Sequence, residues 1–285
     1  MLDLTRLRVL LAVARHGSVT AAAEALHYAQ PSVSHHLTRL EAETGARLVQ
    51  RVGRGVRLTP AGRLLAERAE EILGRLDAAE AELAEHSGLA AGRVRLAAFP
   101  SALGSFVPPA AARFAAAHPA VALSLVEAEP PEALRLLKAG EVDLAVVFDY
   151  APPSPGDGFR LTPLFDEPLH LVTGAADTRD LAGLAGARWI GGCDRCRTSL
   201  VRRCEAAGFA PRIAFTTDDY VAVQALVAAG LGVTILPDLA LRAHRAAGVR
   251  TVPLPGPGRH VSAALYGAPP DPPGPAALLE ALLAG

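Results

Sequence analysis

The sequence predicts an α + α/β chain: a small helical head, a long connecting helix and a larger α/β body. Three observations predict it. Apolar residues recur at helical spacing through the N-terminal segment, a heptad-like stripe runs from Leu65 to Leu83, and beyond Arg93 short apolar runs alternate with helical stretches. With 51% of its residues hydrophobic and 20% charged, the chain can bury a sizeable core, which excludes a disordered polyelectrolyte.

In the head, Leu4, Leu7, Leu10/Leu11 and Ala14 mark a first helix ended by Gly17. Ser18 can cap a second helix, Val19 to Leu26, whose alanines permit close packing. The turn His27-Tyr28-Ala29-Gln30 leads to a third helix opened by Pro31, a residue suited to a first helical turn, and closed by Gly45. Val33, Leu37 and Leu40 form its apolar face; Ser32, His35, His36 and Arg39 project from the other side. Arg47, Arg51, Arg54 and Arg57 then follow around the turn Gly53-Arg54-Gly55.

This is the layout of a winged helix-turn-helix. A polar helix face can enter a major groove while arginines on a neighbouring hairpin hold phosphates. The candidate contacts to double-stranded DNA are Gln30, Ser32, Ser34, His35, His36 and Arg39 on the helix and Arg51, Arg54 and Arg57 on the wing. The plain alternative is a helical subdomain with a solvated polar face.

Charge supports the DNA reading once it is counted by segment. The chain totals 28 basic and 29 acidic side chains, yet residues 1–58 hold eight arginines against Asp3, Glu24, Glu41 and Glu43. Residues 59–86 hold three arginines against seven acids, so a basic head precedes an acidic helix. Lys138 is the sole lysine and Asn is absent, a bias that suits GC-rich coding rather than selected chemistry.

From Thr59 the positions Leu65, Ala69, Ile72, Leu76, Ala79 and Leu83 step alternately by four and three, a narrow seam of the kind that packs against a copy of itself. Leu65, Ile72, Leu76 and Leu83 are the dimerisation candidates; the alternative is a helix docked on its own domain. Residues 59–90 are thus read as linker helix plus hinge, and residues 91–285 as the α/β body. Strands are expected at Val94 to Ala98, Val121 to Val126, Leu144 to Phe148, Leu169 to Val172, Trp189-Ile190, Ile213 to Phe215, Val233 to Leu236 and Val261 to Tyr266. Helices are expected at Phe106 to Ala117, Glu132 to Ala139, Ser199 to Ala207, Tyr220 to Ala229 and Ala276 to Leu283. The simplest arrangement has two lobes, one of about 91–158 and 267–285 and one of about 159–266, with ligand between them.

Cys193, Cys196 and Cys204 are odd in number, which argues against a secreted disulfide framework. Cys193-x-x-Cys196 has dithiol spacing, and arginines 195, 197, 202 and 203 crowd it, conditions that favour thiol reactivity; no further ligand pair completes a metal site. The readings are structural cysteines, a thiol redox sensor or, least supported, a metal site. The N-terminus lacks the basic region and cleavage site of a signal peptide, so the protein is expected in the cytoplasm. No GxSxG, HExxH, Walker loop or strand-to-helix GxGxxG occurs. A non-enzyme without cofactor or metal is expected; a solute-binding protein of a transport system and a cysteine-based oxidoreductase are the competing classes.

An ordered set of residues carries a resemblance: Leu4 to Leu7, Gly17-Ser18, Ala22-Ala23, Leu26-His27, Gln30-Pro31, Val33-Ser34, Leu40-Glu41, Gly45, Leu48, Arg51 and Val56 to Gly62, then Phe114 to Glu127 and Thr217 to Pro237. In these the chain resembles the LysR-type transcriptional regulators. The resemblance implies a winged helix-turn-helix, a dimerising linker helix and a two-lobed periplasmic-binding-protein-like effector domain that senses a small molecule. It also implies homodimers, commonly assembled as homotetramers, that bind imperfect palindromes and alter DNA bending. By the same resemblance Ser101 and Ala102 after the first body strand, with Trp189, Gly191, Gly192, Thr217, Asp218, Gly232 and Thr234 across the cleft, are effector-site candidates. Phe148 and Asp149 end the third strand and join them. A serine beside free N–H groups suits an anionic effector. A thiol redox-sensing regulator of the same fold, using Cys193, Cys196 and Cys204, is the alternative.

The chain departs from the family pattern in places. Ala29 stands where a capping Ser is usual, His35 and His36 replace longer polar residues, and Val49-Gln50 replaces Phe-Glu. Gln30 and Gln50 are the head's only amide side chains, which limits amide readout of adenine.

Overall fold

A computed structural model of the chain describes residues 2–52, 55–86, 92–151 and 158–284, with backbone alone for 77, 78 and 80–86. One compact unit holds residues 1–90 and 138–141, the other the remainder. No helix among the described residues is long and apolar enough to cross a membrane.

In the first unit α1 (Leu4–His16) begins where the Asp3 carboxylate accepts the Arg6 N–H at 3.2 Å. Helix α2 (Val19–Ala25) is capped by Ser18, as its sequence predicts, and α3 (Gln30–Thr44) follows. Strands β1 (Val49–Val52) and β2 (Gly55–Leu58) form the antiparallel wing hairpin, and α4 runs from Pro60 to His86. Leu7, Leu10, Val33, Leu37, Leu40 and Leu48 are buried in one core that fixes the three helices against the wing. Burying a side chain of that size stabilises by about 1.5–3 kcal/mol.

The wing is tied down at its base. Glu41 Oε1, at the end of α3, accepts the Leu48 and Val49 N–H groups at 2.8 and 3.2 Å. Thr59 caps α4 by accepting the Gly62 N–H at 3.0 Å and donates its hydroxyl to the Arg47 carbonyl at 2.6 Å. Glycine is required at 62, since a Cβ there would stand 2.0 Å from the Leu48 carbonyl oxygen.

The apolar stripe on α4 does not serve a single partner. Ala66, Ala69 and Leu73 are buried in the head core and Leu65 packs against it, so the first turns dock on their own domain. Ile72 is 42% exposed and Leu76 half-buried, leaving a second, adjoining stripe. The side chain of Leu83 lies outside the described residues, as does most of the expected hinge. The expected single seam is therefore corrected: Leu65 and Ala69 belong to the docked face because 3.6-residue periodicity carries them toward α1.

The second unit contains two lobes. In lobe I, β3 (Arg93–Ala98), α5 (Pro100–Leu103), α6 (Val107–Ala117), β4 (Ala122–Glu127), α7 (Pro130–Lys138) and β5 (Leu144–Asp149) build parallel β3–β4 and β3–β5 pairs. Then β6 (Phe159–Glu167) adds to the same sheet, and the chain passes to lobe II through Pro168. Lobe II holds β7 (Leu169–Gly174), a 3-10 turn at Ala182–Leu184, β8 (Arg188–Gly191), α8 (Asp194–Ala206), β9 (Arg212–Thr216), α9 (Tyr220–Ala228), β10 (Thr234–Pro237), α10 (Asp238–Ala243) and β11 (Val249–Pro253). The return strand β12 (Arg259–Tyr266) re-enters lobe I, and α11 (Pro273–Leu283) closes it.

The lobe I sheet has the order β4-β3-β5-β12-β6. Lobe II is split between an antiparallel β10-β7-β11 sheet and a parallel β8-β9 pair, joined by a bridge between Trp189 and Val233. The expected lobe boundary is corrected: residues 159–167 and 259–266 pair antiparallel with each other, and β12 with β5, so both strands belong to lobe I. Pro163 interrupts the alternation that would have marked β6.

Candidate functional sites

Helix α3 presents one continuous polar face. Gln30, Ser32, His35 and Arg39 are exposed, Ser34 and His36 half-exposed, and Val33, Leu37 and Leu40 turn inward. Ala29 leaves the helix without a side-chain cap, and Gln30 bonds instead along the helix to Ser34 Oγ at 3.3 Å. His36 lies against Tyr28, ring centroids 6.0 Å apart, so Tyr28 joins the face although it was not among the candidates. In the wing, register pairs Gln50 with Arg57 and Arg51 with Val56, so the exposed Arg51 and Arg57 lie on opposite faces of the ribbon. Gly53 and Arg54 lie outside the described residues.

The body holds a narrow cleft between its lobes, about 60 Å³ in volume, lined from lobe I by Phe99, Ser101, Glu129 and Arg259. Lobe II contributes Gly192, Cys193, Cys196, Thr217, Asp218, Tyr220 and Thr234 among others. Its floor is built where the two crossovers meet. A Cβ on Gly258 would stand 1.7 Å from the Glu167 carbonyl oxygen, so glycine alone admits this approach. One residue on, Arg259 pairs in register with Glu167, and both are 2% exposed.

Arg259 Nε donates to Glu167 Oε2 and Arg259 Nη2 donates to Ser101 Oγ at 2.8 Å. Glu167 Oε1 accepts the Leu239 N–H at 2.6 Å. The guanidinium carbon stands 4.7 and 4.2 Å from the centres of the Phe99 and Phe148 rings, themselves in edge contact. Buried charge is thereby paired, hydrogen-bonded and stacked. Neither Arg259 nor Glu167 was a sequence candidate; they lie far apart in the chain and no local pattern joins them.

Glu129 also lines the cleft. Its Oε2 is buried without a hydrogen-bond partner among the described residues, and burial pushes the carboxyl above the ordinary range. With Asp218 it adds acid to a site whose one buried guanidinium is already matched by Glu167. The Ser101 hydroxyl is engaged by Arg259, and α5 is only four residues long. The expected anion site on free N–H groups is therefore corrected.

Other effector candidates divide. Ser101, Gly192, Thr217, Asp218 and Thr234 line the cleft. Phe148 supports its floor from within the core, and Gly191 is held one step back, its carbonyl accepting the Thr217 N–H at 3.0 Å. Ala102 and Trp189 are fully buried in the cores of lobes I and II, because their strands and helices direct them away from the opening. Gly232 lines a separate crevice with Arg188, and Asp149 another with Arg195, which donates to it at 2.7 Å. Burial raises the Asp149 carboxyl, but Arg195 and the Ala151 N–H outweigh it and hold the group low.

The expected helix at Ser199 begins earlier, at Asp194, which makes Cys193 its N-cap and puts Cys196 in its first turn. Their sulfurs are 3.0 Å apart. Cys204 is buried in the lobe II core, and burial pushes its thiol up to about 11. Among the described residues no group of three or more His, Cys, Asp or Glu side chains could hold a metal ion.

A winged helix-turn-helix joined in one chain to a two-lobed body with a polar cleft between the lobes is the plan of a ligand-responsive DNA-binding protein. Residues 4–63 match the family model for the bacterial regulatory helix-turn-helix protein, lysR family, and residues 87–285 match that for the LysR substrate binding domain. The chain belongs to the LysR family and is a DNA-binding transcriptional regulator with an effector-binding domain. It is 33% identical over 257 residues to the uncharacterized HTH-type transcriptional regulator YcgK of Bacillus subtilis, covering 81% of this chain and 78% of that protein. It is 29% identical to a hydrogen peroxide-inducible genes activator of Dickeya chrysanthemi, covering 86% and 82%. Among solved structures it is similar to CbnR, a LysR family transcriptional regulator, with TM-score 0.69, 24% identity and coverage of 99% and 98%. Full-length CbnR complexed with target DNA gives TM-score 0.67 over 99% of each chain. At these identities the structural likeness concerns the fold.

Proposed function

We propose that α3 is the recognition helix and the β1-β2 hairpin the wing of an effector-controlled regulator that works in the cytoplasm and carries out no catalysis. The observation that carries this reading is the unbroken outward row of Gln30, Ser32, His35, His36 and Arg39 on a helix whose opposite face is wholly buried. Side chains on such a face reach base edges, while Arg51, Arg54 and Arg57 neutralise phosphates beside it. Paired heads follow from the exposed stripe through Ile72 and Leu76, with higher assembly to a tetramer by resemblance. In the body, Ser101, Glu129, Thr217, Asp218 and Arg259 form the effector site, where a small molecule meets both lobes at once. Binding that favours one separation of the lobes biases the DNA-bound state by its differential affinity.

Gel mobility shift with the DNA just upstream of the protein's own gene tests the reading. A specific shift at moderate salt supports it, and its absence rejects it. A thermal-shift screen of the full chain against anionic, neutral and cationic metabolites identifies the effector; a ligand whose stabilisation survives Ser101→Ala together with Asp218→Ala overturns the cleft assignment.

A further inference from the structure

The first turn of α8 puts two thiols in contact at the cleft wall. The Cys193 thiol donates to Cys196 Sγ across 3.0 Å, and Cys193 Sγ in turn accepts the Cys196 N–H at 3.5 Å. A disulfide needs about 2.05 Å between sulfurs, so closing the bond asks the two sulfurs to approach by about 1 Å. Both side chains line the cleft, where a reagent can reach them, whereas Cys204 on the same helix faces the core.

We propose that Cys193 and Cys196 are a reversible dithiol/disulfide pair in the cleft wall, oxidised by exchange with a low-molecular-weight organic disulfide. The surroundings give the two sulfurs different tasks. Cys196 receives the Cys193 S–H and the Tyr150 hydroxyl, with Arg259 nearby, and its thiol is held below the usual cysteine range. Cys193, donating to Cys196 and partly buried, keeps its proton and is held above that range. Beside Cys193 stands the Glu129 carboxyl, pushed up by burial and so suited to receive a proton.

The exchange runs in two displacements. The Cys196 thiolate attacks one sulfur of the organic disulfide; the S–S bond of the reagent breaks, a thiolate leaves, and a mixed disulfide forms on Cys196. Cys193 then passes its proton to Glu129 and attacks Cys196 Sγ, breaking the mixed disulfide and expelling the second thiolate. One proton from Glu129 and one from solvent convert the two expelled thiolates to thiols. Two electrons pass from the protein pair to the reagent, and reduction by excess thiol reverses each step. The closed bond removes a thiolate from the cleft and fixes the start of α8, so the oxidised and reduced proteins present different surfaces to an effector.

The test is equilibration of the full chain, without oxygen, in mixtures of reduced and oxidised glutathione, followed by alkylation and peptide mass mapping. The expected result is a single two-electron transition in which Cys193 and Cys196 lose reactivity together and their peptide loses two hydrogens, with Cys204 unmodified until the protein is unfolded. Cys193→Ser should stop at a glutathione adduct on Cys196, and Cys196→Ser should lower the rate of adduct formation at least tenfold. Glu129→Gln should slow closure of the mixed disulfide relative to the first displacement, whose thiolate is relieved of the neighbouring carboxylate charge. Free thiols at Cys193 and Cys196 across the whole range overturn the proposal, as does a bond involving Cys204 or an adduct formed on Cys193 at the rate seen for Cys196. This rests on the cleft's geometry and not on the regulator reading. Loss of the DNA shift in both redox states would reject that reading and leave the thiol result standing.

Discussion

The head gathers its polar groups along one turn-by-turn row on α3, whereas the cleft gathers Ser101, Glu129, Glu167, Cys196, Thr217 and Arg259 from six separate elements or loops. In the head each exposed side chain is a graft on a core that does not need it: Arg39 or His36 can change while Val33, Leu37 and Leu40 hold the helix in place. In the cleft the functional groups are themselves structure. Arg259 is at once the charge partner of Glu167, the donor to Ser101 and the platform over Phe99 and Phe148. Substitution in the first region should separate binding from folding, and substitution in the second should not.

Arg259→Ala gives the largest expected effect. It strands the Glu167 carboxylate in the core and should cost about 3–5 kcal/mol, read by denaturant unfolding of the body. Arg259→Met with Glu167→Leu, which removes both charges, should recover most of it. A loss below about 1 kcal/mol for the single variant would dissolve the contrast. Gly62→Ala comes next, forcing a Cβ against the Leu48 carbonyl. It should destabilise the head by about 1–3 kcal/mol in thermal unfolding and loosen the wing with it.

Arg57→Ala should leave stability unchanged, weaken binding to every DNA sequence, and reduce the slope of log affinity against log salt by about 0.9 for one lost phosphate contact. His36→Ala should instead alter sequence preference; an equal loss on all sequences would assign His36, with Tyr28, to packing. The smallest effect is expected at Glu129. Its folded pKa lies above the ordinary 4.5, so ionisation is dearer in the native state. Stability should fall as pH rises from about 4.5 through the folded pKa, and Glu129→Gln should remove that dependence. An unchanged pH profile would show the carboxyl to be solvated.

How far each region was legible follows from the same contrast. Helix α3 could be read because its N-cap Ala29, Pro31, apolar spacing and Gly45 all lie within seventeen residues, and periodicity reports a local rule. Ser101, Thr217 and Thr234 were found by resemblance. Arg259 and Glu167 were not, since their pairing depends on β12 returning beside β6 after the whole of lobe II, and Pro163 masks β6. Trp189 and Ala102 face the core for a related reason: neither the expected two-residue strand at Trp189 nor the four-residue helix that holds Ala102 has enough local pattern to say which side meets the opening. The stripe on α4 shows the limit of counting alone, because docking on the head and pairing with a copy use neighbouring faces of one helix.

The most direct test of the account is fluorescence anisotropy of the full chain on a labelled fragment from upstream of its own gene, against a scrambled fragment of equal length, at about 0.15 M salt. Binding to the upstream fragment is expected to be at least about 10³-fold tighter, with Arg39→Ala or Ser32→Ala reducing the ratio between the two. Equal affinity for both fragments, or a ratio untouched by every substitution on the outward face of α3, would contradict it.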